Sequence, residues 1–233
     1  QKLTEDPALR KWLRTNTPKV LKDAFEDLRE KLRRPPVDAV VLADFPASFS
    51  TETKPRLTLV LPRLAAGSDF GGFATGIDVF SRLFVSLSRS MQIDLRVIIT
   101  DVIAETDPSI VGKWAAKSGL KVDDSQIELV KTHDHVIEVR ANEMFVTYNW
   151  WTTLNFAALR DAQAKAFGQA PRPLVWLMQD YEPAFEPFSS AHMLARAAYD
   201  TSEPLWGVIN SSNLARLRIA VQDSGKPLDA SER

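Results

Sequence analysis

Residues 173–210 read PLVWLMQDYEPAFEPFSSAHMLARAAYDTSEPLWGVIN. The stretch begins and ends with continuous apolar runs, 173–178 and 204–210, and an amphipathic pattern lies between them at 189–200. Short continuous apolar runs are typical of strands that are buried on both faces of a parallel sheet. A strand, a helix and a second strand in this order predict a parallel crossover, which is the repeating unit of an α/β fold.

The same alternation extends over the rest of the chain. Apolar runs predict strands and amphipathic runs predict helices, several of them stopped by glycine or proline. The further predicted strands are DAVVLAD (38–44), RLTLVL (56–61), DLRVIIT (94–100), IELV (127–130), VIEV (136–139) and MFVTYN (144–149), and the further predicted helices cover 17–34, 73–89, 108–119, 150–167 and 211–222. We therefore predict an α/β fold with a doubly wound, mostly parallel, Rossmann-like sheet that helices cover on both faces.

The predicted elements divide the chain into three parts. Residues 1–36 form an N-terminal helical extension that ends at two prolines, residues 37–222 form the Rossmann-like domain, and residues 223–233 form a polar tail or linker. No apolar run approaches the roughly 20 residues that a transmembrane helix needs, so we expect no transmembrane segment.

The composition excludes several classes of partner. The 29 basic and 30 acidic residues give a formal net charge of -1, which offers no electrostatic basis for nucleic acid as the main partner. The 233 residues include no cysteine, so a disulfide framework and a thiolate metal site are both excluded. A cytosolic location fits this composition.

Five loops are expected at one edge of the sheet, because ligands of open parallel sheets bind beyond the carboxyl ends of the strands. Two of them are TDVIAETD (100–107) and NSSN (210–213), and the other three carry the candidate site residues. The first is PRLAAGSDFGGFATG (62–76), in which Gly71 and Gly72 lie just before a helix. Free backbone N–H groups at such a position attract anions, although the loop is neither GxGxxG nor a P-loop. A tight strand-to-helix turn is the alternative interpretation of these glycines.

The second loop is NWWTT (149–153), and its two tryptophans open a helix. An indole at a sheet edge can stack on the apolar face of a sugar, but Trp150 and Trp151 are adjacent and at least one is expected in the core. The third loop is QDYEPAFEP (179–187), which carries three carboxylates, Asp180, Glu182 and Glu186. Each could act as a base or accept a sugar hydroxyl, or could simply complement the N-terminus of the next helix.

A pair of histidines, His133 and His135, is spaced as on one face of a strand. A metal site needs more ligands than this pair supplies, so we interpret both as polar residues at a strand edge and predict no metal.

Several of these segments, in this order, resemble one known family. The pieces FGGFATGIDVF, VIITD, FVTYNWWTT, LVWLMQDYEPAFEPFSSAHMLARAAYD and WGVINSSNL are similar to the N-terminal half of WsaF-type rhamnosyltransferases, between about Arg56 and Leu214. These are bacterial GT-B glycosyltransferases that build rhamnose-containing surface polysaccharides. The loop QDYEP, followed by a helix of small residues, is the most specific part of the resemblance.

The resemblance implies that this chain is the acceptor-side half of a two-domain enzyme. The expected partners are a nucleotide sugar, by analogy dTDP-rhamnose, and a glycan acceptor, with no metal and no cofactor. A C-terminal, donor-binding domain is expected beyond Arg233, and the chain alone is expected to be inactive. The implied location is cytoplasmic, peripheral to the inner face of the membrane.

The resemblance also assigns roles to residues of the three loops. Asp180 and Glu182 are the predicted catalytic residues, as a base or as acceptors of the acceptor-sugar hydroxyls. The predicted substrate-binding residues are Gly71, Gly72, Thr75, Trp150, Trp151, Thr152, Gln179 and Tyr181. Two other functions remain open: a non-catalytic carbohydrate-binding or scaffolding domain, and a nucleotide-binding epimerase or dehydrogenase, against which the missing GxGxxG counts.

Overall fold

The computed structural model describes residues 42–65, 71–200 and 205–216. All of them belong to one compact unit, Asp38–Arg233. The helix predicted at 17–34 and the polar tail lie outside the described residues, so the division into three parts stays a prediction.

Strands and helices alternate along the described residues as the sequence predicts. The strands are β1 (Ala47–Ser50), β2 (Arg56–Leu61), β3 (Asp94–Ile99), β4 (Ile127–Leu129), β5 (Ile137–Arg140), β6 (Glu143–Thr147), β7 (Leu174–Met178) and β8 (Leu205–Ile209). The longer helices are α1 (Gly71–Ser88), α2 (Ser109–Ala115), α3 (Trp150–Phe167) and α4 (Ser190–Tyr199), and residues 212–216 are helical as well. No helix among the described residues is both long and apolar enough to cross a membrane.

The main sheet is parallel and follows the order β4–β3–β2–β6–β7–β8. The chain enters this sheet in the middle at β2, moves outward through β3 and β4, crosses back to β6, and moves outward again through β7 and β8. This is the strand order of a Rossmann-like, doubly wound sheet, so the predicted fold class is confirmed. The winding direction reverses between β2 and β6, and the carboxyl ends of these two strands therefore border the crevice where such sheets bind ligands.

Two hydrophobic cores cover the two faces of the sheet. One core contains Leu59 of β2 together with Ile77 and Phe80 of α1, and the other contains Val60 of β2 together with Phe156 of α3. Neighbouring residues of a strand point to opposite faces, which is why Leu59 and Val60 belong to different cores. Full burial of a side chain of this size contributes roughly 1.5–3 kcal/mol to stability.

The strand predicted at 38–44 is wrong in the part that the structure describes. Residues 42–44 are not in a strand, and β1 begins only at Ala47. β1 pairs in parallel with β5, with Ala47 opposite Ile137, in a separate two-stranded sheet. The local sequence does not predict this pairing, because β5, the partner strand of β1, lies far from it along the chain.

The start and end of α3 follow from its flanking residues. Oδ1 of Asn149 accepts the backbone N–H of Thr152 at 3.1 Å, and Oγ1 of Thr152 accepts the backbone N–H of Asn149 at 3.1 Å. This reciprocal capping satisfies two N–H groups that the first turn would leave free. At the other end, Gly168 takes the left-handed conformation with φ +61° that closes a helix. The helix α1 begins at Gly71 instead of the predicted Phe73, so Gly71 and Gly72 belong to its first turn.

A buried ionic cluster lies at the opposite, amino-terminal edge of the sheet. The carboxylate of Glu143, which is fully buried, lies between Arg56 and Arg96, with N–O distances of 2.7 and 2.5 Å. The hydroxyl of Thr58 also donates to this carboxylate. Two guanidinium groups thus share one buried carboxylate, and each also pairs with a less buried one, Arg56 with Glu138 and Arg96 with Glu128.

Candidate functional site

The crevice at the carboxyl edge is formed by the segments that follow β2, β6 and β7. Gln179 follows β7, and its Nε2 donates to the carbonyl oxygen of Gly72 at 2.6 Å. Tyr148 follows β6, and its ring stacks on Phe73 of α1 with a centroid distance of 4.7 Å and an interplanar angle of 13°. The start of α1 therefore contacts the residues that follow β6 and β7. These contacts lie beside the point between β2 and β6 where the winding of the sheet reverses.

The glycines of α1 make this close approach possible. A Cβ atom on Gly72 would overlap the hydroxyl of Tyr148 and lie 3.0 Å from Oε1 of Gln179, and one on Gly76 would lie 2.9 Å from the Tyr148 ring. Gly71 is different: it is exposed, has φ +42°, and no atom of the described residues beyond its own helix backbone lies within 4 Å of the same position. Gly72 is thus needed for packing against the strand ends, whereas no described side chain packs against Gly71 in this way.

We expect Gly72→Ala to lower the free energy of unfolding by more than about 1 kcal/mol, because the new methyl group has no room beside the Tyr148 hydroxyl. Urea denaturation measures the loss. Adding Tyr148→Phe removes the clashing oxygen and should restore at least half of it. The control is Gly112→Ala in α2, whose Cβ would lie 3.9 Å from the carbonyl oxygen of Val122 and should be tolerated. Equal stability of Gly72→Ala and the natural protein would contradict this packing role.

Glu182 is the carboxylate that enters the crevice. Its side chain is half-buried, and its Oε2 accepts the backbone N–H of Trp150, the first residue of α3, at 3.1 Å. Burial raises the pKa of Glu182 to about 8, against the opposing effect of the Trp150 N–H, and the charges of Asp180 and Glu186 raise it further. A carboxyl with this pKa is mostly protonated at pH 7 and exchanges its proton near neutral pH.

Tyr199 of α4 holds the loop that carries Glu182. Its hydroxyl donates to the backbone carbonyl of Asp180 at 2.6 Å and accepts the backbone N–H of Glu182 at 3.3 Å. Its ring packs edge-on against Tyr181 at a centroid distance of 5.1 Å. Burial raises the pKa of the Tyr199 hydroxyl, which therefore stays protonated. Tyr199 thus contacts Asp180 only through the backbone carbonyl of Asp180, and the Asp180 side chain is exposed.

The remaining predicted site residues, from the first and second loops, fall into different environments. Trp150 is 1% exposed and belongs to the interior, while Trp151 is half-buried and meets it edge-on at 5.4 Å. Thr152 is fully buried and forms the cap of α3. Thr75 is exposed on α1, where its hydroxyl donates to the carbonyl of Gly71 at 2.9 Å. Within the second loop, 149–153, Trp151 is the residue whose side chain is partly open to solvent.

The predicted site residues omit Asp101, which follows β3 at the same edge. Its φ is +54°, a left-handed conformation that non-glycine residues seldom adopt. Nε1 of Trp151 donates to its Oδ2 at 2.9 Å, and the hydroxyl of Thr100 donates to the same oxygen at 3.3 Å. Burial raises the pKa of Asp101, and those two hydrogen bonds oppose the rise. In the sequence, the feature that points to this residue is an acid directly after the apolar run VIIT.

The described residues include no group of three or more histidine, aspartate or glutamate side chains that could hold a metal ion. The interpretation of His133 and His135 as residues of one strand face is wrong, because both lie in the turn before β5. Nε2 of His135 pairs with Glu128 at 2.8 Å near the ionic cluster, whereas His133 is exposed and its charge acts on Asp101.

The class of protein follows from this geometry: a Rossmann-like α/β domain whose polar side chains converge where the winding of the sheet reverses. A family model described as "WsaF, N-terminal domain" matches residues 56–212, from the first residue of β2 to the end of the sheet. This chain belongs to that family, and it is a glycosyltransferase-related domain. The predicted resemblance to the WsaF N-terminal domain is confirmed.

The other comparisons add little. No curated protein matches this sequence. The HAL3 structure from Cryptococcus neoformans aligns over 74% of this chain and 97% of its own, with 11% identity and a TM-score of 0.31. A similarity at that level supports no argument about fold or function.

Proposed function

We propose that this domain is the acceptor-side half of a glycosyltransferase that transfers rhamnose or a related sugar from a nucleotide sugar, dTDP-rhamnose in the first instance, to a polysaccharide acceptor. The observation that carries the proposal is Glu182. A half-buried carboxyl with a pKa of about 8 lies in the crevice where an α/β sheet of this order binds its ligand. Membership of the WsaF family supports the reaction class, and the choice of sugar rests on the family resemblance alone.

Glu182 is the proposed general base of the reaction. The acceptor hydroxyl attacks the anomeric carbon of the donor sugar, the bond from that carbon to the diphosphate oxygen breaks, and the hydroxyl proton passes to the Glu182 carboxylate. A base works best when its pKa is close to the working pH, and the pKa of about 8 meets this condition. The N–H of Trp150 fixes the carboxylate by holding one of its oxygens, which leaves the other for the acceptor.

The donor diphosphate is proposed to approach the first turn of α1. Gly71 is exposed there, and among the described residues beyond its own helix backbone no atom lies within 4 Å of the position of a Cβ at this residue. Backbone N–H groups at the start of a helix stabilise negative charge, and the departing diphosphate needs such stabilisation. Gly72 contributes through its backbone only, because Tyr148 and Gln179 fill the space at its side. A separate donor-binding domain would supply the remaining contacts, and the family name, which denotes an N-terminal domain, supports this division.

The experiment that tests the proposal is sugar transfer by the intact natural polypeptide. With dTDP-rhamnose and the polysaccharide acceptor, we expect release of dTDP together with incorporation of labelled rhamnose into the acceptor. Residues 1–233 alone should show little or no turnover, and added EDTA should leave the rate of the intact protein unchanged. The reaction is placed in the cytoplasm, at the inner face of the membrane, on the strength of the family resemblance.

Two results would contradict the proposal in different ways. Saccharide binding by an intact protein that neither transfers nor hydrolyses any nucleotide sugar would make the domain a carbohydrate-binding module. Robust turnover by residues 1–233 alone would show that no second domain is needed.

A further inference from the structure

The geometry points to a saccharide subsite formed by Asp101 and Trp151, at the same edge of the sheet as Glu182. This subsite takes a pyranose ring of the acceptor and contributes to the choice of acceptor. This inference rests on the proposed function, because it assigns the acceptor position of that same crevice. It is carried by the contacts of these two side chains at the carboxyl ends of the sheet.

The first step of the argument is the position of Asp101. β3 is the neighbour of β2, so the residue after β3 lies at the same edge of the sheet as the segment that leads to α1. Among the described residues, Asp101 is the one non-glycine residue with a positive φ. The chain turns sharply at this residue, and the turn places the carboxylate within reach of α3. An unfavourable backbone conformation that tertiary contacts maintain is often found at a functional position.

The second step is the hydrogen bonding of the Asp101 carboxylate. Both of its hydrogen bonds, from the Trp151 indole and from the Thr100 hydroxyl, fall on Oδ2. Within the part of the chain that the structure describes, Oδ1 has no donor. Arg63, from the segment after β2, and His133, from the segment after β4, lie close enough to favour the charged form. The result is a partly buried carboxylate with one oxygen that can accept a hydroxyl group.

The third step is the orientation of Trp151. Its indole is fixed at one edge by the bond to Asp101, and its ring meets the buried Trp150 at an angle of 80°. Trp151 is half-buried, so part of its surface stays open to solvent. An indole held in this way keeps its orientation without a ligand, which lowers the entropic cost of binding one.

The fourth step is the chemistry of the ligand. A pyranose has an apolar patch of C–H groups and a rim of adjacent hydroxyls, and a fixed indole beside a carboxylate complements both features. Consecutive residues at the start of α3 contact the two carboxylates: the backbone N–H of Trp150 donates to Glu182, and the side chain of Trp151 donates to Asp101. Both carboxylates are therefore linked to the first turn of α3, so a sugar that binds at Asp101 lies at the same end of that helix as the proposed base.

The experiment measures saccharide binding directly, so its outcome does not depend on turnover. Methyl α-rhamnopyranoside and the purified acceptor polysaccharide are titrated into the intact protein, with the indole N–H signal of Trp151, assigned through Trp151→Phe, as the readout. We expect this signal to shift on binding. Asp101→Asn and Trp151→Ala should each weaken binding at least tenfold, and Glu105→Gln, an exposed acid in the same loop, should bind as the natural protein does. In the transfer assay, the KM for the acceptor should rise and the KM for the nucleotide sugar should not.

The outcomes separate this inference from the proposed function. If the intact protein transfers sugar but Asp101→Asn and Trp151→Phe retain full affinity for the acceptor, the subsite is refuted and the proposed function stands. If saccharides bind with the expected dependence on Asp101 but nothing is transferred, the proposed function fails and the subsite stands. Absence of any shift of the Trp151 signal with either saccharide overturns the subsite. Circular dichroism and Tm for each variant exclude unfolding as the cause, and Trp151→Phe retains the ring volume where Trp151→Ala does not.

Discussion

Glu182→Gln is expected to lower kcat/KM of the intact protein for sugar transfer by about 100-fold or more, which is the usual cost of losing a general base. Glutamine keeps the shape of the side chain and an oxygen that can accept the Trp150 N–H, but it cannot take up the acceptor proton. The matched control is Glu186→Gln in the same loop, which should stay within threefold of the natural protein. Asp180→Asn should have a smaller effect than Glu182→Gln, since the Asp180 side chain is exposed.

The stability of Glu182→Gln should show that this loss is chemical. The folded state raises the pKa of Glu182 from 4.5 to about 8, so folding favours the protonated carboxyl. The contribution of this group to stability is fully present below pH 4.5 and is lost as the pH rises through about 8. Glutamine has no such dependence, so the Tm of the variant should equal that of the natural protein near pH 4.5 and exceed it at pH 8.5. Near-natural kinetics in both Glu182→Gln and Asp180→Asn would assign this loop to a structural role.

Glu143→Gln is expected to destabilise the fold by about 3–5 kcal/mol, because it removes the negative charge that two buried arginines share. For a domain of this size, that loss corresponds to a fall in Tm of roughly 6–20 °C. Burial lowers the pKa of Arg96, and the carboxylates of Glu143 and Glu128 oppose that effect. The variant leaves Arg96 with Glu128 alone, at 3.1 Å, whose side chain is 26% exposed. Thermal unfolding followed by circular dichroism measures the change.

The control for Glu143 lies in the same cluster. Glu138 also pairs with Arg56, at 3.2 Å, but its side chain is 53% exposed, so Glu138→Gln should cost less than about 1 kcal/mol. The cluster lies at the amino-terminal edge of the sheet, away from the proposed site, and the folded fraction of Glu143→Gln should keep its kcat. A Glu143→Gln protein as stable as the Glu138→Gln protein would contradict a structural role for the cluster.

The sequence predicts the fold well where local chemistry decides the structure. α3 begins after Asn149 and ends before Gly168 because the cap residues and the left-handed glycine act within one turn of the helix ends. β2 and β7 are buried along their whole length, as their continuous apolar runs predict. The parallel direction of the strands in the main sheet follows from the alternation of strands and helices.

Contacts between distant segments are the part that the sequence does not predict. The ring that requires a glycine at Gly72 belongs to Tyr148, and no local pattern connects the two. The buried carboxylate Glu143 pairs with Arg56 across 87 residues, and both occur in runs that resemble ordinary strands. The need for Asp101 at the site appears only when Trp151 is seen to donate to it, 50 residues further along the chain.

The acids of the third loop show the same limit at the candidate site. Asp180 and Glu182 have similar neighbours in the sequence, and their spacing gives no reason to prefer one of them. The structure separates them because Tyr199 binds the backbone at both positions and turns only the Glu182 side chain toward the start of α3.

The pH dependence of kcat/KM for sugar transfer by the intact protein tests the central claim most directly. Because kcat/KM reports the ionisation of the free protein, the account predicts that it rises with pH along a limb whose apparent pKa is near 8, as Glu182 loses its proton. The same limb should be absent from the residual activity of Glu182→Gln. A limb near pH 8 that persists unchanged in the variant, or a profile of the natural protein that is flat between pH 6 and about pH 9, would contradict the assignment of Glu182 as the base.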